Sequence, residues 1–414
     1  MEYRREIDGL RALAVLPVIF FHAGYDAFSG GFVGIDVFFV ISGYLITKII
    51  LSDLEHGRFS IVGFYERRAR RILPALFFVM LVCLPFAWRW LLPGDMKDFS
   101  QSLVAVVAFS SNLLFWKESG YFDVAAELKP LLHTWSLAVE EQYYLFFPVF
   151  LMLAWRVGKG PILLIMGLLA LGSLVLAEWG VRSDPALAFY LLPTRGWELL
   201  VGAFVAFYLS PKAGVAPRRD VAEAGGLLGF LLLVYSVFTF DEATPFPGLS
   251  ALVPTVGTAL VILFSSPATA VGRWLGSEVV VGVGLISYSA YLWHQPLFAF
   301  LRHRSLTEPS GSLFFAMALT SLFLAYLTWR FVEMPFRNKE KTSRSLIFGG
   351  ASAGLAFFGL VGVIGHVTDG YFGRSPDDAA LLIQKTARET GRSKECWEKL
   401  ALCPFQWKLT QQQT

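Results

Sequence analysis

Charged residues are scarce in this chain. They make up 16% of its 414 residues, whereas hydrophobic residues make up 55%. A soluble globular chain usually carries about 25% charged residues. The net charge is only +3, which is too small an excess of basic residues to indicate nucleic-acid binding, so no nucleic acid is expected as a partner. This composition argues against an ordinary soluble domain and predicts an all-α polytopic protein of the lipid bilayer.

Cysteine is equally rare, with three residues in the whole chain. Cys83 falls within an apolar run and is expected to be an inert buried thiol. Cys396 and Cys403 lie close together in a polar tail, where they would form a disulfide or remain a free pair, depending on the compartment. No metal site is expected.

Long apolar runs are abundant, and eleven of them reach the roughly 17–25 residues that a membrane-spanning helix needs. They lie near residues 9–27, 32–51, 72–92, 134–155, 161–179, 189–209, 224–240, 248–265, 280–301, 312–332 and 346–366. A further candidate, 101–116, is short and interrupted by polar residues. We therefore predict that 101–116 is an amphipathic or re-entrant segment on the outer side.

The basic residues indicate the topology, because cytoplasmic loops carry an excess of Lys and Arg. With the N-terminus in the cytoplasm and eleven spans, the basic clusters near 67–71, 156–159, 212–219 and 337–344 all fall on the cytoplasmic side. A span at 101–116 would place the later clusters outside. The C-terminal tail is therefore predicted to lie outside the cytoplasm.

Ionisable residues within the predicted spans are costly and are candidates for function. Arg11 and His22 lie eleven positions apart in the first span, which places them on one helical face, roughly 16 Å apart. The alternatives are a snorkelling anchor for Arg11 and a packing role for His22. Asp36 enters the second span, where a buried carboxylate needs a partner on a neighbouring helix.

Two further stretches combine charges near span ends. The run "RRARR" contains Arg67, Arg68, Arg70 and Arg71 just before the third apolar run, and it would bind an anion or serve topology alone. In "LPTRGWELLVGA", the spacing of Arg195 and Glu198 predicts an intrahelical ion pair, for which a structural clamp is the alternative role.

Two histidine-containing stretches complete the set. In "HTWSLAVEEQYYLFFP", His133 and Glu140 share a face, and the adjacent Glu140 and Glu141 are hard to explain by packing. In "SYSAYLWHQPL", Tyr291 and His294 belong to one stripe of the ninth span. The predicted topology gathers the arginines at the inner face. It places a second set at similar depth in the outer half: His22, Asp36, Glu140, Glu141, Arg195, Glu198 and His294. This arrangement indicates an active site reached from both sides.

Taken together, these stretches resemble the membrane acyltransferase-3 family, which includes bacterial O-antigen, peptidoglycan and exopolysaccharide O-acetyltransferases. The order and spacing of the motifs fit over residues 1–340. The resemblance implies a ten-helix acyltransferase domain at 1–340 and an additional transmembrane helix at 341–366. A periplasmic stem would follow at 367–414.

The resemblance also implies an activity and roles for individual residues. The protein would take acyl-CoA, most commonly acetyl-CoA, from the cytoplasm and acylate an extracytoplasmic carbohydrate such as lipopolysaccharide O-antigen, in the bacterial inner membrane. His22 would act as general base or transient acyl carrier, with Asp36 or Glu140 orienting its imidazole. The acyl-CoA ligands would be Arg11, Arg67, Arg68, Arg70 and Arg71. Other residues expected to line the site are Ser42, Ser136, Glu141, Arg195, Glu198, Tyr291 and His294.

Many members of the family also carry a periplasmic SGNH-type domain after the eleventh span. No Gly-Asp-Ser nucleophile block occurs here. We therefore expect that the chain is truncated before such a domain, or that the domain is a separate partner. The alternative from another functional class is a proton-coupled membrane transporter or exporter with His and Glu relays. The absence of a visible inverted repeat and the phosphate-suited arginines favour the enzyme.

Overall fold

The computed structural model describes residues 3–119, 126–210, 218–305 and 307–374. Within these ranges all regular structure is helical and no strand occurs. The predicted all-α polytopic class is therefore confirmed. The Cys396–Cys403 pair and most of the predicted stem lie outside the described residues.

Nine α-helices are described in the first half of the chain. They are α1 (Arg5–His22), α2 (Gly34–Glu55), α3 (Ile61–Trp90), α4 (Pro93–Val107), α5 (Ser111–Lys117), α6 (Thr134–Ala154), α7 (Lys159–Ser183), α8 (Pro185–Tyr190) and α9 (Leu192–Tyr208).

The second half continues in the same way. Its helices are α10 (Arg219–Thr239), α11 (Leu252–Phe264), α12 (Ala270–Leu275), α13 (Glu278–Arg304), α14 (Gly311–Thr328), α15 (Met334–Arg337) and α16 (Arg344–Val367). A π-helical turn, Trp329–Glu333, joins α14 to α15.

Each of the eleven predicted spans falls on a helix. Seven of the described helical segments, those that contain α2, α3, α6, α7, α10, α14 and α16, are long and apolar enough to cross a bilayer. The other four predicted spans coincide with α1, α9, α11 and α13. These helices are either shorter than 18 residues or richer in polar side chains.

The start of α3 differs from the prediction. The helix begins at Ile61, where the Ser60 hydroxyl accepts a hydrogen bond from the Gly63 amide and caps the first turn. The "RRARR" run therefore lies inside α3 and not in the loop before it. Arginine is a good helix former, so the polar run does not end the helix.

The segment predicted to be amphipathic or re-entrant is broken into two short helices. Phe109, between α4 and α5, has a φ of 49°, which ends the first helix. The 15 residues of α4 extend only about 22 Å, less than the hydrocarbon thickness of a bilayer. Asn112 of α5 is buried and exchanges two side-chain hydrogen bonds with Gln142 of α6, so this segment is fixed to the bundle.

Glycines allow the closest helix crossings near the centre. A Cβ atom at Gly284 of α13 would lie 1.8 Å from the Asp8 carbonyl oxygen of α1. On α2 and α9, a Cβ at Gly43 would lie 1.9 Å from the Leu199 oxygen, and one at Gly202 would lie 2.0 Å from the Val40 oxygen. Small residues bring helix backbones together in membranes, so these crossings are fixed. They fix α1 against α13 and α2 against α9.

Candidate functional site

A cavity of about 420 Å³ lies among α2, α3, α6 and α13 and reaches the segment after α14. Among the residues that the structure describes, its wall contains seven Arg and Lys side chains and one carboxylate, that of Glu140. The basic residues are Arg11, Arg67, Arg68, Arg70, Arg71, Arg337 and Lys339. Basic side chains thus predominate on the wall, which is suited to an anionic ligand.

Helix α6 gives the length of the cavity. His133 and Ser136 lie in the wall at the start of α6, and Tyr144 lies in the wall eleven positions after His133. The Arg68 guanidinium stacks on the Tyr144 ring at 4.0 Å, which marks the basic end. Eleven helical residues rise roughly 16 Å, so this is the approximate distance between the basic end and the histidine end.

The predicted arginine ligands differ in their pairing. Arg67 bonds to Asp53 at 3.1 Å, and Arg68 bonds to Glu141 at 3.2 Å. Arg11 lies 3.5 Å from Asp8. These carboxylates lie outside the cavity wall. Each of the three arginines keeps some donors for a ligand, because a guanidinium has five N–H groups.

Arg70 is held by the protein itself. Its guanidinium forms two bonds with Glu66, at 2.9 and 3.0 Å, and donates to the carbonyl oxygens of Phe336 and Thr342, at 3.2 and 2.9 Å. The residue is only 4% exposed. Although Arg70 contributes to the wall, these contacts make it a clamp between α3 and the segment that leads from α15 to α16.

Arg71 is the opposite case. Across the part of the chain that the structure describes, it has no hydrogen-bond or ion-pair partner, although Arg11, Arg68 and Arg337 are close enough to repel its charge. Nearby like charges are unfavourable for a cation that has no carboxylate partner. Arg71 is therefore the arginine of this cluster that keeps all its N–H donors for an anionic ligand.

At the other end of the cavity, hydroxyl groups surround a histidine. Tyr291 Oη donates to the His133 carbonyl oxygen at 2.9 Å and lies 2.8 Å from Ser136 Oγ. His133 is 3% exposed, and within the described chain neither of its ring nitrogens has a hydrogen-bond partner. A buried unpaired imidazole in a cavity wall is able to bind a polar group of a ligand.

Three histidines adjoin one another at this end. The ring centroid of His294 lies 5.6 Å from that of His133 and 5.1 Å from that of His22. His22 Nδ1 bonds to the Val18 carbonyl oxygen at 2.8 Å. Because a carbonyl only accepts, that nitrogen carries the proton and Nε2 is left as the basic nitrogen.

His22, the predicted catalytic residue, is not part of the described cavity wall. Its ring contacts His294, which in turn contacts His133 in the wall. It is partly exposed, whereas His133 and His294 are buried. His22 is also the last residue of α1, and Arg302 donates to its carbonyl oxygen at 3.4 Å. The histidines thus lead from the cavity wall toward the end of α1.

Glu140 and its neighbours lie between the two ends. Its Oε1 accepts from Ser42 Oγ at 2.7 Å, and its Oε2 accepts from Tyr144 Oη at 3.2 Å. Both oxygens are thus bound by hydroxyl groups, and an orienting bond to His22 remains a prediction. The predicted site residues Ser42, Ser136 and Tyr291 all lie in the cavity wall.

Asp36 has the partner that its burial requires. Its carboxylate lies 3.3 Å from Arg195 Nη1 on α9, and the same nitrogen lies 3.2 Å from Glu198. All three side chains are almost fully buried, and aromatic rings surround the guanidinium, including those of Phe39 and Trp135. The predicted Arg195–Glu198 pair is confirmed. This cluster joins α2 to α9, and the orientation of His22 by Asp36 stays a prediction.

Sequence reasoning missed two features of the site. Arg337 and Lys339 were assigned to a cytoplasmic loop, but both lie in the cavity wall. His133 was noticed as a neighbour of Glu140, yet its place beside His294 depends on how α6 and α13 pack. The unusual density of basic residues at 337–344 was the only sequence signal for the first feature.

The chain is similar in sequence to known proteins. The model of a family described as an acyltransferase domain matches residues 4–330. The chain is 33% identical over 354 residues to the peptidoglycan O-acetyltransferase OatA of Listeria monocytogenes, covering 81% of this chain and 56% of that protein. It is 30% identical over 351 residues to the O-acetyltransferase OatA of Staphylococcus aureus strain NCTC 8325, covering 81% and 58%. The chain thus spans just over half the length of these relatives, and no solved structure matches it.

Proposed function

Because the chain belongs to the acyltransferase-3 family of membrane acyltransferases, we propose that it transfers an acyl group from acyl-CoA. The acceptor is a hydroxyl of a glycan on the opposite side of the membrane. Acetyl is the expected acyl group, because the relatives are named O-acetyltransferases. The observation that carries the proposal is the cavity that joins an arginine cluster to His133, which contacts His294 and through it His22.

The basic end supports a CoA thioester as the donor. CoA carries a pyrophosphate and a 3′-phosphate, and arginine binds phosphate through two parallel hydrogen bonds. The basic residues of the wall supply N–H donors for such a head group, and Arg71 has no carboxylate partner within the described chain. Lys339 is exposed, so the mouth of the cavity lies at this end. In the predicted topology this mouth faces the cytoplasm, where acyl-CoA is found.

The histidine end supports the chemistry. The pantetheine arm would extend along α6 and bring its thioester near His133, Ser136 and Tyr291. The hydroxyl oxygen of the acceptor then attacks the thioester carbonyl carbon, the C–S bond breaks, and CoA leaves as the thiolate. His22 Nε2 takes the proton of the hydroxyl and returns it to the thiolate. A transient acyl group on His22 is the other form of this role.

The acceptor is proposed only as a class. The relative from Listeria is a peptidoglycan O-acetyltransferase by name, and this supports a glycan outside the cytoplasm as the class of acceptor. The expectation of lipopolysaccharide O-antigen remains a prediction. The bacterial inner membrane, a cytoplasmic N-terminus and an SGNH-type domain that completes transfer are likewise parts of this proposal.

Oriented vesicles test the proposed function directly. The full chain is reconstituted in one orientation, and radiolabelled acetyl-CoA is supplied on the side of Lys339 or on the opposite side. We expect CoA release and transfer to a soluble glycan fragment only when acetyl-CoA meets the Lys339 side. Equal release from both sides, or none from either side with wild type, contradicts the proposal. Proton-coupled export of a solute without CoA release would support the transporter alternative.

A further inference from the structure

Arg337 contributes to the basic end of the cavity from an unexpected direction. The residue lies in the cavity wall together with Arg11 and Arg71. It follows the region that the family model matches, which ends at residue 330. Arg11 comes from α1 and Arg71 from α3, so Arg337 approaches the same space from a third element, α15.

A π-helical turn sets the position of Arg337. The turn covers Trp329–Glu333, and an extra residue per turn shifts the helical phase of everything after it. The shift directs Glu333 into the bundle, where it is fully buried. Its carboxylate accepts one hydrogen bond from Ser289 Oγ of α13 and forms an ion pair with the Arg337 guanidinium.

This arrangement leaves donors of Arg337 free to bind a ligand. Glu333 engages Nη2, and Nε has no partner within the described chain. Among the described residues Arg71 has no carboxylate partner, and Arg11 and Arg337 repel its charge. Glu333 pairs with Arg337 and not with Arg71, so both arginines keep N–H donors for an anionic ligand.

We propose that Arg337 binds a phosphate of the acyl donor together with Arg71, and that Glu333 is the positioning residue that holds Arg337 toward the cavity. The proposal rests on the proposed function and deepens it, because it assigns a donor-binding residue to the segment that follows the matched region. Glu333 touches Arg337 and not the ligand, so it acts only through that arginine.

The first experiment separates phosphate binding from general damage. Wild type and Arg337→Gln are purified in nanodiscs and titrated with acetyl-CoA and with S-acetylpantetheine, which has the thioester arm but no phosphate. Loss of one charge-assisted bond should weaken acetyl-CoA binding about tenfold or more and leave S-acetylpantetheine binding unchanged. Arg337→Lys should recover part of the loss, because it keeps the charge without the fork.

A matched control lies in the same π-helical turn. Arg330 is exposed and does not line the cavity, so Arg330→Gln should bind both ligands as wild type does. Equal acetyl-CoA affinity of Arg337→Gln and wild type overturns the proposal. An equal loss of affinity for both ligands in Arg337→Gln also overturns the proposal, because that result indicates damage to the fold.

The positioning role of Glu333 has its own measurement. Glu333→Gln should weaken acetyl-CoA binding in the wild-type background but have no further effect in the Arg337→Gln background. An additional loss of affinity in the double variant shows that Glu333 acts by another route and overturns its assigned role.

Adenosine 3′,5′-bisphosphate is the final probe. If wild type binds it in an Arg337-dependent way but does not bind acetyl-CoA, the proposed donor is wrong and the phosphate site remains. If wild type binds neither, both proposals fail.

Discussion

The rings of His22 and His294 lie 5.1 Å apart between centroids, although 271 residues separate them in the chain. Their contact brings the end of α1 against the middle of α13, and His133 of α6 adjoins the same pair. Three helices thus supply one imidazole each to the site.

The histidine cluster leads to a prediction about catalysis. His22→Ala should abolish acyl transfer while acetyl-CoA affinity changes less than twofold, because the imidazole is remote from the basic end of the cavity. His56→Ala is the matched control, since His56 makes the same Nδ1 bond to the carbonyl four residues earlier but is exposed. Turnover and binding are measured on the same preparation. A His22→Ala protein with near-normal turnover would remove this residue from the reaction.

Adjacent arginines of α3 should respond in opposite ways. Arg70→Gln loses a buried clamp and should lower the free energy of unfolding by about 3 kcal/mol. Arg71→Gln relieves repulsion within the basic cluster, so the empty protein should be as stable as wild type or more stable. Its acetyl-CoA affinity should nevertheless fall about tenfold. Thermal unfolding with and without acetyl-CoA checks both variants. Equal destabilisation by the two changes contradicts the assignment.

The Asp36–Arg195–Glu198 cluster should be important for stability. Asp36→Ala leaves Arg195 with one buried carboxylate fewer and should lower the free energy of unfolding by about 3–5 kcal/mol. Arg182→Ala, which breaks an exposed ion pair with Glu178, should cost less than about 1 kcal/mol. Chemical denaturation in detergent micelles measures both. A stable Asp36→Ala protein without turnover would instead place Asp36 in the reaction.

The topology is tested by labelling the two flanks of α16. In a cysteine-free background, single cysteines replace Lys339 before the helix and Asp369 after it. The 24 residues of α16 rise about 36 Å, which is enough to cross a bilayer. A membrane-impermeant thiol reagent added to intact cells should label position 369 only. Labelling of position 339 would contradict the cytoplasmic assignment of the basic clusters.

Helix positions and polar residues at depth could be predicted from the sequence, because apolar length and local spacing determine both. The Arg195–Glu198 pair followed from its i, i+3 spacing, and the burial of Asp36 implied a partner on another helix. The identity of that partner depends on the glycine-mediated crossing of α2 and α9, which no local pattern indicates.

The sequence pattern also could not predict that neighbouring arginines have different roles. Arg70 and Arg71 are adjacent and chemically identical, but one residue turns about 100° around a helix axis. The first therefore meets Glu66 and the α16 linker, while the second meets other arginines. The position of Arg337 depends on a π-helical turn. The turn changes the helical phase, so regular periodicity does not predict which way the residues after it face.

The tight crossing at Gly284 has a consequence for substrate selection. The crossing fixes α1 against α13, and α1 carries Arg11 and His22 at the same eleven-residue spacing that separates His133 from Tyr144 on α6. Two helices thus set the same distance of roughly 16 Å between arginines and imidazoles. If the donor is acyl-CoA as proposed, a thioester whose arm is shorter than pantetheine would not reach both ends of the cavity at once. Under that proposal the fixed helix pair would select donors by the length of the arm, independently of the acyl group.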